Sequence, residues 1–115
     1  TDFELGSDII DFDQAVTVDS ASADATATVA KVSSEGIATF HADDDTLAER
    51  IVAATKGVDG DGDFVVFEHS GNSYVYLSGD ANATQDDGVD VLIKLTGVTG
   101  ISDSTIDANN NLILA

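Results

Sequence analysis

Two short apolar-rich runs separated by a polar turn are the feature that most restricts the fold of this sequence. The runs occupy residues 64–68 (FVVFE) and 74–77 (YVYL), and the residues between them read HSGNS. Valine, phenylalanine and tyrosine suit the pleated surface of a strand, and a Gly-Asn pair provides the positive φ angles of a tight turn. The pattern predicts a β-hairpin.

A third strand is predicted after the acidic loop that follows the hairpin, over residues 89–95. Its alternating apolar positions are Val89, Val91, Ile93 and Leu95. Leu92 makes the second face partly apolar as well, so we expect this strand to be covered on both sides. Three strands that share an apolar face form a stable nucleus where a lone hairpin does not.

The clearest local prediction is a helix over residues 46–56. Thr46 and Glu49 match a capping box, in which each side chain bonds the backbone amide of the other residue. The three aspartates at 43–45 lie where the positive end of the helix dipole favours negative charge. Gly57 is expected at C′, just beyond the last helical residue.

The remaining segments predict only short strands. Residues 1–12 read as strand, turn and strand, and residues 15–19, 26–32 and 37–41 predict a small meander. Residues 107–111 predict a polar turn, and residues 112–114 an edge strand or a frayed end. The fold class expected is α+β and mostly β: an antiparallel sheet or small sandwich with the single helix packed on one face.

We expect one domain over residues 1–115, because the chain has no proline, no exact repeat and no low-complexity linker. Its expected parts are a strand-turn-strand unit at 1–12, small strands at 13–45, a core of helix, hairpin and strand at 46–98, and a tail strand at 99–115.

The charge of the chain limits its partners. It has 22 acidic and 4 basic residues and a formal net charge of -18. Nucleic acids and anionic membrane surfaces are poor partners because both are bound through lysine and arginine. Such a charge also opposes compaction through self-repulsion, and divalent cations are the simplest neutralising partners. Cysteine is absent, which excludes disulfides and thiolate metal sites.

Two acidic loops are candidate calcium sites. The first consists of Asp59, Asp61 and Asp63 in a Gly-containing loop, which matches the opening of an EF-hand loop. The match is partial, because Phe64 is at the position where that motif needs glycine and Ser70 at the position where it needs glutamate. The residues of the second are Asp80, Asn82, Asp86, Asp87 and Asp90. Both loops are also compatible with plain solvated turns, since Asp and Asn bond local backbone.

No catalytic signature accompanies these acids. The sequence has no nucleophile elbow, phosphate-cradling loop or dinucleotide fingerprint, and its two histidines lie far apart in sequence. We therefore predict that the chain is not an enzyme. It also has no apolar run near the roughly 20 residues that a membrane span needs.

Two segments resemble a known group of bacterial proteins. Residues 1–12 (TDFELGSDIIDF) resemble the sequence that follows the last glycine-rich nonapeptide repeat of RTX proteins. Residues 46–98 are similar to the carboxy-terminal, bluetail-like unit of large bacterial surface proteins, adhesins and S-layer-like proteins. This similarity lies in the helix start, the FVVF and SYVYLSGD hairpin, and the DVLIKLTGV strand.

The resemblance implies secretion and calcium. Such proteins leave the cell through type I secretion machinery, guided by an uncleaved carboxy-terminal signal, and fold outside, where calcium is plentiful. The ending NLILA has the short apolar finish of such a signal. The chain starts with Thr and shows no secretory signal before Asp11, so we expect a fragment of a longer protein. The RTX nonapeptide repeat itself is missing, so any calcium must use the acidic loops of this chain.

The function expected is therefore that of a non-enzymatic, extracellular or cell-surface module that carries the export signal and binds Ca²⁺. The alternative is an adhesion or assembly module that binds another surface protein or a carbohydrate without calcium.

Overall fold

The computed structural model describes residues 2–19, 24–58, 60–80 and 90–115. Within these ranges the strands are β1 (Ile9–Ile10), β2 (Lys31–Val32), β3 (Ala38–Thr39), β4 (Phe64–His69), β5 (Asn72–Leu77), β6 (Val91–Thr96), β7 (Ser104–Ile106) and β8 (Leu112–Leu114). The helix α1 (Leu47–Gly57) lies between β3 and β4. The fold is α+β and mostly β, as predicted.

The strands of the described residues form three small antiparallel sheets. The central sheet has the order β4-β5-β6, the terminal sheet has the order β1-β8-β7, and β2 pairs with β3. The central sheet contains the longest strands, and the other two sheets pack against its faces.

Alternation along β4 and β5 builds a separate core on each face of the central sheet. Phe64 and Val66 point into a cluster that includes Leu112 and Leu114 of the terminal sheet. The neighbouring side chains of β4 and β5 enter a second cluster with α1, β2 and β3; these are Val65, Phe67, Tyr74 and Tyr76. The hairpin is therefore covered on both faces, which explains its nearly continuous apolar sequence.

The predicted hairpin is confirmed, with one correction at its turn. The positive φ angles belong to Ser70 (50°) and Gly71 (78°), not to the Gly-Asn pair. Asn72 is the first residue of β5 and lies opposite His69. Two central residues with positive φ match the right-handed twist of the flanking strands, so the loop is one residue earlier than the sequence indicated.

The third strand is present as β6, and Val89 of the predicted strand lies outside the described residues. The prediction that this strand is covered on both sides is wrong. Val91 and Leu92 are exposed, at 39% and 37% of their accessible surface. The helix and the two smaller sheets pack mainly on the hairpin of β4 and β5. The outer edge of β4 is bridged by Thr17 and Ile37. Among the described residues β6 pairs only with β5, so it forms the open edge of the central sheet.

The amino-terminal meander is only partly formed. Residues 15–19 make a single parallel bridge, from Thr17 to Asp63, and the segment that starts at Thr26 first turns back on itself through a bridge to Val29. Only β2 and β3 pair as predicted. Residues 2–8 form no strand, and β1 pairs with β8. Short Ala- and Thr-rich segments bury little apolar area, so contacts with the hairpin decide where they lie.

The prediction of an edge or frayed strand at 112–114 is wrong. β8 is the middle strand of the terminal sheet, and Leu112 and Leu114 are completely buried. The sequence did not indicate its partner β7, which contains only one large apolar residue, Ile106.

The helix is confirmed with a shift of one residue, and both bonds of its capping box are present. Gly57 is the last helical residue and not the C′ residue, because the C-cap is Val58 in an extended conformation. A Cβ on Gly57 would lie 3.1 Å from Val32 Cγ2 and 3.2 Å from the Ala30 carbonyl oxygen. Glycine here permits close packing of α1 on β2. No helix of the described part is long and apolar enough to cross a membrane.

Candidate cation site at one end of the central sheet

Antiparallel pairing brings the described residues of the two predicted calcium loops to the same end of the central sheet. Phe64 at the start of β4 lies opposite Leu77 at the end of β5, which lies opposite Val91 at the start of β6. Asp61 and Asp63, which precede β4, therefore lie at the same end of the sheet as Asp80, which follows β5, and Asp90, which precedes β6. We call this end of the sheet the acidic end and define it by four described residues: Asp61, Asp63, Asp80 and Asp90.

Asp63 is the most deeply placed of these acids, with 8% of its surface exposed. Its Oδ1 accepts a hydrogen bond from Thr17 Oγ1 at 2.6 Å, and its Oδ2 accepts one from the Gly60 amide at 2.7 Å. The Asp63 carbonyl accepts a hydrogen bond from the Ser78 amide at 2.8 Å. Asp63 thus closes its own loop and ties it to the amino-terminal segment and to the end of β5.

Asp90 has an equivalent role on the other side of the acidic end. Its Oδ2 accepts a hydrogen bond from the Tyr76 hydroxyl at 2.9 Å, and its Oδ1 accepts one from the Gly79 amide at 2.8 Å. These bonds join the start of β6 to the end of β5. Both acids are structural residues as well as candidate ligands.

The other two acids of the acidic end are more accessible. Asp61 is exposed, Asp80 is half-buried, and the Asp80 carbonyl accepts a hydrogen bond from Ser78 Oγ at 2.7 Å. The remaining predicted ligands lie outside the described residues; they are Asp59, Asn82, Asp86 and Asp87. In the described ranges, no three His, Asp or Glu side chains are grouped closely enough to hold a metal ion.

The polar turn predicted at 107–111 is present, and residues of this turn donate hydrogen bonds to the carboxylate of Asp107. Asp107 Oδ1 accepts hydrogen bonds from the Asn109 and Asn111 amides, and its Oδ2 accepts one from Asn111 Nδ2. The hydrogen bonds from Asn111 are the main reason that the pKa of Asp107 lies below its ordinary value.

Sequence analysis missed a charged network at the opposite end of the hairpin, around Arg50. Its Nε donates to the Asp44 carbonyl and its Nη1 to the Glu68 carbonyl, each at 2.9 Å, while its guanidinium lies 5.2 Å from the Phe40 ring centroid. Glu68 Oε1 accepts from the Gly100 and Ile101 amides. A single arginine in a helical sequence pattern does not indicate which distant carbonyl groups or aromatic rings it will contact.

No protein-family model, curated protein or solved structure matches this chain.

Proposed function

We propose that the chain is a non-enzymatic module of a secreted bacterial surface protein that binds Ca²⁺ at the acidic end. The observation that carries this proposal is that described acids of two loops, Asp61, Asp63, Asp80 and Asp90, lie at the same end of the central sheet, in a chain with a net charge of -18. Extracellular calcium modules typically bind with Kd values of about 10⁻⁴–10⁻³ M, and affinity in this range does not require a rigid, fully formed set of ligands.

Hydrogen bonding does not exhaust the carboxylate of Asp63. A carboxylate has about four lone-pair positions, so Asp63 retains acceptor capacity beyond the hydrogen bonds that it accepts from Thr17 and Gly60. Ca²⁺ takes oxygen ligands in a flexible geometry and accepts water and carbonyl oxygens as well. Asp61 adds an exposed carboxylate at the same end. This arrangement suits a hard cation and offers no soft ligand.

The burial of β8 supports an order of events for export. The apolar finish that resembles a type I signal includes Leu112 and Leu114, which are completely buried in the folded chain. We infer that secretion machinery reads this segment before folding. Carboxylate repulsion delays folding at low calcium, and outside the cell the cation shifts the equilibrium to the folded state.

We expect calcium to raise the melting temperature. A ligand that binds only the folded state at ten times its Kd contributes about 1.4 kcal/mol per site, which for a domain of this size raises Tm by roughly 5 °C. Thermal unfolding is followed by circular dichroism after treatment with chelator, with and without 5 mM CaCl₂. The control is NaCl at equal ionic strength; an equal rise with sodium would contradict the proposal.

Matched variants assign the effect to the acidic end. We expect the double variant Asp61→Asn with Asp80→Asn to lose most of the calcium-dependent rise. The double variant Asp2→Asn with Asp103→Asn makes the same change in net charge at exposed positions outside the two loops, so it should retain that rise. Heteronuclear NMR during the calcium titration then shows which amides respond first.

A second candidate function, assembly with other surface proteins, is favoured by the open edge at β6. Val91 and Leu92 are exposed on this strand, and an unpaired strand edge can add a strand from another chain.

If β6 mediates assembly, Leu92→Lys should reduce self-association by at least about tenfold, since charge on an edge blocks strand pairing. Sedimentation velocity at several concentrations, with and without calcium, measures this change. Val52→Lys is the matched control, because Val52 is also exposed but lies on α1. A wild-type chain that stays monomeric throughout would exclude self-assembly through this edge.

A further inference from the structure

Asp44 is a buried carboxylate whose charge is not matched by the surrounding side chains. It lies in the loop before α1, with 4% of its surface exposed. Among the described residues no donor reaches its Oδ2, and no lysine, arginine or histidine nitrogen lies within 4.0 Å of its carboxylate. A buried charge without such partners is unfavourable, so the folded state gains from any cation that reaches it.

Two concavities border Asp44. The first, of about 480 Å³, is also lined by Arg50, whose positive charge repels other cations. Among the described residues that line the second, of about 240 Å³, none is basic. Its lining residues are Ala27, Thr28, Asp44, Ala48, Glu49 and Val52. We call this second concavity the Asp44 pocket.

The Asp44 pocket combines apolar walls with negative charge. Ala27, Ala48 and the exposed Val52 provide the walls. Glu49 adds a second carboxylate, and hydrogen bonds from the Thr46 side chain and backbone lower its pKa, so it is ionised at neutral pH. A hydrated metal ion gains nothing from apolar walls, whereas a lysine side chain has a methylene stem that packs on them and an ammonium that pairs with carboxylates.

We propose that the Asp44 pocket binds a lysine side chain of a partner protein, with the ammonium at Asp44 and the stem along Ala48 and Val52. The net charge of -18 attracts basic partners to the chain from a distance. This site belongs to the helix side of the molecule and does not depend on calcium at the acidic end, so either proposal can fail without the other.

The test uses two small probes, Nα-acetyl-lysine methylamide and its norleucine analogue, which has the same stem length without the ammonium. Amide NMR shifts of the wild-type chain are followed as each probe is added. We expect saturable shifts at Asp44, Ala48 and Val52 with the lysine probe in the millimolar range. The norleucine probe should bind at least tenfold more weakly.

Variants separate the pocket from the general negative charge. Asp44→Asn should weaken binding of the lysine probe at least tenfold, while Asp45→Asn, an exposed neighbour with the same charge change, should leave it unchanged. Ala48→Gln fills the pocket at an exposed, helix-compatible position and should also abolish binding, which keeps the test valid if Asp44→Asn fails to fold. Equal binding of both probes, equal losses in Asp44→Asn and Asp45→Asn, or full binding in Ala48→Gln would overturn the proposal.

Discussion

Leu114→Ala is expected to lower the free energy of unfolding by about 2–5 kcal/mol, the range for removing a fully buried leucine side chain. Leu114 is completely buried in the cluster that joins the terminal sheet to the central sheet. Its strand β8 is hydrogen-bonded on both sides, to β1 and β7. Truncation therefore leaves a cavity between two sheets that relaxes only in part. Urea denaturation followed by circular dichroism measures the change.

Ile113→Ala provides the control for this substitution. Ile113 lies between Leu112 and Leu114 in the same strand but is only half-buried, because alternate side chains point to opposite faces. We expect its loss to cost about 1 kcal/mol, near the centre of the distribution for single substitutions. If the two variants were equally mild, β8 would be an edge strand or a frayed end, as its sequence alone indicated.

Gly62→Ala is expected to have the second large effect, about 2–5 kcal/mol, for two separable reasons. Gly62 has a φ of 84°, a left-handed conformation that costs other residues about 1–2 kcal/mol. A Cβ at this position would also lie 2.7 Å from the Ala15 carbonyl oxygen, and forcing the backbone apart adds about 1–3 kcal/mol. The displaced segment includes Thr17, whose hydroxyl donates to Asp63.

Gly97→Ala separates these two contributions. Gly97 has a similar φ of 76°, but the space where its Cβ would lie is open. We expect this variant to lose only the conformational part, about 1–2 kcal/mol. Urea denaturation of both variants gives the difference, and calcium titration shows whether Gly62→Ala also weakens the acidic end. Equal destabilisation in the two variants would mean that the amino-terminal segment does not pack against this loop.

The sequence predicts which acidic residues belong to the candidate site but not how these residues are arranged in space. The acidic runs around Asp61 and Asp80 were evident as separate loops. That Asp61 and Asp80 lie at the same end of the sheet follows from the register of β4, β5 and β6, which is a long-range property. The sequence also could not show that the carboxylates of Asp63 and Asp90 accept internal hydrogen bonds. The sequence indicates Asp44 as helix-start charge and does not indicate its burial, because burial of one aspartate among three has no local signal.

The sequence by itself determined the helix and the hairpin, because their signals are local. A capping box acts within one turn of the chain at Thr46 and Glu49, and alternation of apolar residues acts within a single strand. Only the tertiary structure decided which strands lie inside. Leu114 is buried and Leu92 is exposed although both are leucines in apolar runs, because burial depends on which distant segment covers each face. The hydrophobic effect is non-directional and does not depend on neighbours in sequence, so the packing of the whole molecule determines which apolar side chains are buried.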